Sequence, residues 1–168
     1  MSSGLKRVLI AGLGNEILKD DGVGIHAIRL LQELDYFSLR SGIRVAEIGT
    51  ALLDAAHLYE WAECMVAIDA MMGGNRPGTV YLLQGLDFGN AGLRNGGLHQ
   101  LDLQAALRLV PECRIKQVAV VGVEPKEIDF GLELTHPVRA ALPELMQVID
   151  KIVQRLQSSE SPFLTTAP

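Results

Sequence analysis

Residues Val8–Gly24 read VLIAGLGNEILKDDGVG: an apolar run, then a glycine-rich turn, with HAIRLLQEL following at 26–34 in helical spacing. Strand, glycine turn and helix in that order form the opening unit of an α/β layer fold. Such a turn often cradles a phosphate at the helix start. Here the dinucleotide pattern G-x-G-x-x-G fails, because Ile17 stands where the third glycine belongs. Asp20 and Asp21 share the turn, and two carboxylates repel a pyrophosphate at that range. The turn suits a cation or a proton, and a nucleotide-binding module is disfavoured.

The same alternation continues along the chain. Short runs rich in β-branched residues predict strands over 8–11, 43–48, 64–68, 79–83 and 115–121, and apolar spacing of three and four predicts helices over 23–34, 52–62, 98–110 and 137–156. The expected fold class is α/β: a single three-layer doubly wound domain whose five-stranded, mainly parallel sheet carries helices on both faces. The link AMMGGNRPG at 70–78 is too short for a helical crossover, so the fourth strand is expected antiparallel at an edge. One α/β domain over 1–156 is expected, with 157–168, which hold two prolines and no periodicity, as a flexible tail.

Bulk properties narrow the function. A chain of 168 residues buries roughly two-thirds of its unfolded surface as one domain. The 15 basic residues are scattered and the net charge is -5, which argues against nucleic acid. No apolar run approaches the roughly 20 residues of a membrane span, and the segment after Lys6 and Arg7 breaks at Gly12 without a cleavage site, so no signal peptide is read. Cys64 and Cys113 are too few for a disulfide framework or a thiolate metal site. A monomer in the reducing cytoplasm is the expectation.

Open α/β sheets bind ligands beyond the carboxyl ends of their strands, where the strand order reverses. Asp21 follows the first strand and Asp69 ends the third, so an order beginning 2-1-3 brings both to one crevice, and His99 opens the helix that reaches the same edge. Each has a plainer reading as a helix cap, a turn residue or a solvated group, and one of the Asp20/Asp21 pair can cap while the other works. No G-x-S-x-G elbow exists, the serines lie outside this crevice, and no H-E-x-x-H is present. His26, His57 and His136 read as structural, and Glu16 shares the first loop with Asp21 with its role open.

Six motifs in order carry a resemblance: GLGNEILKDDGVG, EIGT, AIDAMMGGNRPGTV, HQLDL, VAVVGVEP and GLELTHPV, together spanning almost all of 8–138. With these the chain resembles the maturation endopeptidases of nickel–iron hydrogenases, many of which carry Glu at the position of Asp21. The resemblance implies a protease that removes a C-terminal extension from the hydrogenase large-subunit precursor once nickel has been inserted. The family's metal-site and catalytic residues fall on Asp21, Asp69 and His99, with nickel supplied by the substrate rather than permanently bound. The alternative is a non-catalytic metal chaperone or assembly checkpoint for the same precursor. By position, the loops 85–97 and 123–135 are the expected determinants of partner choice.

Overall fold

The computed structural model describes residues 4–84 and 98–158, the stretch 98–102 by its backbone alone. The segment 85–97 and the expected tail beyond 158 lie outside the described residues. Five strands, β1 (Val8–Leu13), β2 (Ile43–Gly49), β3 (Cys64–Ala70), β4 (Val80–Leu83) and β5 (Gln117–Val123), form one sheet in the order β2-β1-β3-β5-β4. All neighbours are parallel except β4, which pairs antiparallel with β5 at the edge, as the short 70–78 link requires. The order reverses between β1 and β3, whose carboxyl ends lie side by side, with Gly12 opposite Ile68.

Strand alternation builds two cores. Val8 and Ile10 of β1 join α1 (Val23–Glu33) and α4 (His136–Gln157) on one face. Leu9, Ala11 and Leu13 join α2 (Ala56–Trp61) and α3 (Leu98–Leu109) on the other. Each face is closed by two helices, which is the expected three-layer arrangement.

The glycines of the opening motif serve this packing. A Cβ on Gly24 would lie 2.4 Å from the carbonyl oxygens of both Leu13 and Ile68, so the first turn of α1 sits directly on the strand backbones. The glycine pattern that resembles a phosphate turn is a close-approach device between helix and sheet.

Most element ends shift by one or two residues from the sequence reading, and one expected helix is divided. The expected helix over 52–62 divides into a 3-10 turn, Leu52–Ala55, and α2, because buried Tyr59 donates its hydroxyl to the Leu52 carbonyl at 2.8 Å and fastens the tighter turn. The fifth strand begins at Gln117 rather than at Ile115 and continues to Val123, in register with Cys64–Ala70 of β3.

Candidate functional site

The chain leaves β1 through 14–18 and enters a 3-10 turn, Lys19–Gly22, before α1. Asp20 and Asp21 are both buried there, but no side chain caps α1. Their carboxylates serve different neighbours. Asp20 is wholly excluded from solvent. Its Oδ1 accepts from the Thr135 amide at 2.8 Å, and its Oδ2 accepts from the Lys126 amide at 2.9 Å, the Glu127 amide at 3.0 Å and the Thr135 hydroxyl at 2.8 Å. That donor set satisfies both carboxylate oxygens away from water. Asp21 turns the other way, and its Oδ2 accepts from the Asn15 amide at 2.8 Å.

Asp69 lies at the carboxyl end of β3, fully buried, with Oδ1 accepting from the Ala70 amide at 2.9 Å. Alternation sets it on the face of Met65 and Ala67, the face that α3 covers. Gly14 joins it to the first loop. At φ +99° an ideal Cβ on Gly14 would lie 3.4 Å from Asp69 Oδ1 and 2.0 Å from the Asp21 carbonyl oxygen. Only a residue without a side chain fits there, with the Asp21 backbone carbonyl on one side and the Asp69 carboxylate on the other.

His99 is the second residue of α3, and its side chain lies outside the described residues. Among the described residues, no group of three His, Cys, Asp or Glu side chains could hold a metal ion. Two carboxylates and an imidazole form an oxygen-rich set without thiolate, suited to a hard or borderline divalent ion and lacking the ligands of a permanent soft-metal site.

Sequence reasoning missed Glu124. It follows the end of β5 and is almost fully buried, yet accepts from the amides of Gly73 at 2.7 Å, Gly74 at 3.3 Å and Asn75 at 3.4 Å and from the Tyr81 hydroxyl. Burial works to raise its pKa, but the Tyr81 hydroxyl and the three amides outweigh it and hold the carboxyl below its ordinary value. The loop between β3 and β4 is therefore moulded onto a carboxylate. The available signal was a lone acid ending an otherwise apolar strand, opposite a loop containing paired glycines.

Glu16 has a simpler position. Arg29 pairs with Glu16 at 2.8 Å and with Glu47 at 3.0 Å, on the partly exposed rim of a cavity of about 290 Å³ bounded by Gly14, Asn15 and Thr50. Partly exposed pairs of this kind contribute little stability, so the network mainly sets the charge of the rim.

This chain's residues 25–152 match the family model for hydrogenase maturation protease. The chain belongs to that family. Among curated relatives, it is 31% identical over 153 residues to the hydrogenase expression/formation protein HoxM of Azotobacter vinelandii, covering 88% of this chain and 73% of the relative. It is 32% identical to protein FrxA of Pyrococcus furiosus, covering 80% of this chain and 96% of that one. Among solved structures, the [NiFe] hydrogenase maturation protease HybD of Thermococcus kodakarensis superposes with a TM-score of 0.73 at 31% identity, covering 88% of this chain and 99% of the neighbour. The hydrogenase maturating endopeptidase HybD of E. coli gives 0.70 at 25% identity, covering 88% and 93%.

A protease needs an activated nucleophile, and the side-chain options of this family member are placed unfavourably. Cys64 begins β3, at the end of the sheet away from Asp69, and burial pushes its thiol up, so it stays protonated. Cys113 lies before β5 at that same end. No serine occurs between Ser41 and Ser158. His26 of α1 contacts the Leu132 carbonyl at 3.1 Å, and His57 and His136 are exposed on helices. Among the described residues no helix is long and apolar enough to cross a membrane.

Proposed function

We propose that this protease removes the C-terminal extension of a nickel–iron hydrogenase large-subunit precursor after nickel insertion. Asp21, Asp69 and His99 are the residues assigned to meet the metal. The observation that carries this reading is the Gly14 clearance, which brings the turn bearing Asp21 against the Asp69 carboxylate at the reversal of strand order. His99 is assigned with them because it lies in the first turn of α3, the helix whose Leu103 and Leu107 pack on the sheet face of Met65 and Ala67.

Nickel in this scheme is cargo. Held by the precursor, it gains Asp21, Asp69 and His99 as completing ligands, so that cleavage is licensed by a finished metal site. The ion supplies Lewis acidity at the scissile carbonyl or at an attacking water, and a carboxylate of the pair takes the proton. The segment 123–135, with Ile128, Phe130 and Leu132 exposed at the same edge, faces the precursor.

The test is intact mass of a nickel-loaded precursor before and after incubation, beside a nickel-free one. Loss of a C-terminal peptide from the loaded precursor alone is expected, and Asp69→Asn should abolish it while leaving the fold intact. Stable binding with unchanged mass would instead favour the checkpoint reading, and wild-type processing by folded Asp69→Asn would remove Asp69 from its role.

A further inference from the structure

We infer that Asp20 is a positioning residue for the cleavage reaction: through Thr135 it locks the turn bearing Asp21 to the segment 126–135. This rests on the proposed role of Asp21 as a nickel-meeting carboxylate. The lock begins with solvent exclusion. A fully buried carboxylate is tolerated only where donors surround it, and Asp20 receives its four from Lys126, Glu127 and Thr135, the two ends of one segment. The middle is fastened by backbone: the Lys19 amide donates to the Gly131 carbonyl at 2.8 Å, and the Gly131 amide to the Ile17 carbonyl at 3.0 Å. The whole segment is thereby moulded on residues 17–20.

Thr135 shows what its hydroxyl is for. It occupies the N-cap position of α4, where a threonine ordinarily caps with its side chain, yet no side-chain capping bond is made. The hydroxyl is given to Asp20 instead, 115 residues away in sequence. On the far side of the turn, the Asp21 carbonyl lies against Gly14 with no room for a methyl group. Asp21 is thus held between a clamp on one side and a wall on the other. Loosening the clamp lets the Asp21 carboxylate drift, and a displacement of about 1 Å in a reacting constellation can cost on the order of 100-fold in rate.

Asp20→Asn is too blunt a probe, because either orientation of the carboxamide sets its NH2 group against a backbone N–H, that of Thr135 on one side or those of Lys126 and Glu127 on the other. Thr135→Val removes one donor and keeps the shape, and Thr135→Ser restores the hydroxyl. Both are assayed on nickel-loaded precursor for kcat and KM, with thermal unfolding and Asp21→Asn alongside. Thr135→Val is expected to fold and to lose roughly tenfold in kcat with a smaller change in KM, while Thr135→Ser stays within about twofold of wild type. Full kcat in folded Thr135→Val, or equal loss in Thr135→Ser, overturns the clamp while loss in Asp21→Asn leaves the site reading standing. Wild-type processing by folded Asp21→Asn overturns the role of Asp21 and, with it, what the clamp positions.

Discussion

The loop after β1 and the loop after β3 leave the same edge of the sheet, and each is organised by one buried carboxylate, but the arrangement is inverted. In the first, the loop owns the acid: Asp20 reaches out to amides and a hydroxyl 106 to 115 residues further along. In the second, the acid belongs to the end of β5, and the loop folds three successive amides, Gly73 to Asn75, down onto Glu124. Removing the Asp20 side chain therefore loosens the two ends of 126–135 from the first loop, leaving the backbone bonds at Gly131, whereas removing that of Glu124 releases the 73–75 loop and the Tyr81 hydroxyl. The loop bearing Asp21 is cross-linked into the fold, and the loop following Asp69 is draped over it.

Glycine substitutions separate the two most sharply. Gly14 and Gly74 both have φ in the left-handed region, +99° and +82°, but a Cβ at Gly14 meets the Asp21 carbonyl at 2.0 Å while one at Gly74 meets nothing within 4 Å. Gly14→Ala combines strain with a backbone clash and should cost roughly 3 kcal/mol or more. Gly74→Ala bears conformational strain alone, about 1 kcal/mol. Urea unfolding of the two proteins decides this, and equal losses would show that clearance beside Asp21 is not what fixes the first loop.

Glu124→Gln tests the draped loop. The carboxamide loses the charge and keeps one acceptor, and in either orientation its NH2 group faces a backbone N–H, that of Gly74 or those of Gly73 and Asn75, for an expected loss of roughly 1–3 kcal/mol near neutral pH. The pH dependence has a definite sign. Because the folded protein holds Glu124 below its ordinary pKa, its stabilisation is complete above the ordinary carboxylate range and disappears as pH falls through the folded value. The stability gap between wild type and Glu124→Gln should therefore narrow in acid. A gap that is constant between neutral pH and the acid limb would mean that the ionised form of Glu124 does not hold the loop.

The fold was legible because its signals are local. Five apolar runs, amphipathic spacing and a link too short for a crossover lead to the parallel sheet with one antiparallel edge, and the reversal rule then selects Asp21 and Asp69. The division of labour between Asp20 and Asp21 was not legible. Both are acids at a helix start, and what separates them is a set of donors from 126–135, a contact that no spacing within the first loop encodes. Glu124 was hidden for the same reason, since its partners lie 43 to 51 residues away and act through main-chain amides as well as Tyr81. The 3-10 turn before α2 depends on the hydroxyl of Tyr59, which apolar periodicity counts only as a core residue.

The smallest effect concerns the surface, and it asks which of the two loops meets the precursor. Phe130 is 79% exposed beside Gly131, on the segment clamped to the Asp21 turn, and Met72 is 70% exposed on the draped loop. Truncating either to alanine leaves the core intact, so stability should stay within about 0.5 kcal/mol of wild type. Their kinetics should differ. An exposed aromatic on a rigid scaffold gives contact area at low entropic cost, and its loss from a binding surface is felt in affinity before chemistry. Phe130→Ala is expected to raise KM roughly fivefold at unchanged kcat, a loss of about 1 kcal/mol in binding, with Met72→Ala near wild type. The reverse ranking would assign the precursor to the draped loop beside Asp69, and rigidity near Asp21 would then serve the chemistry alone.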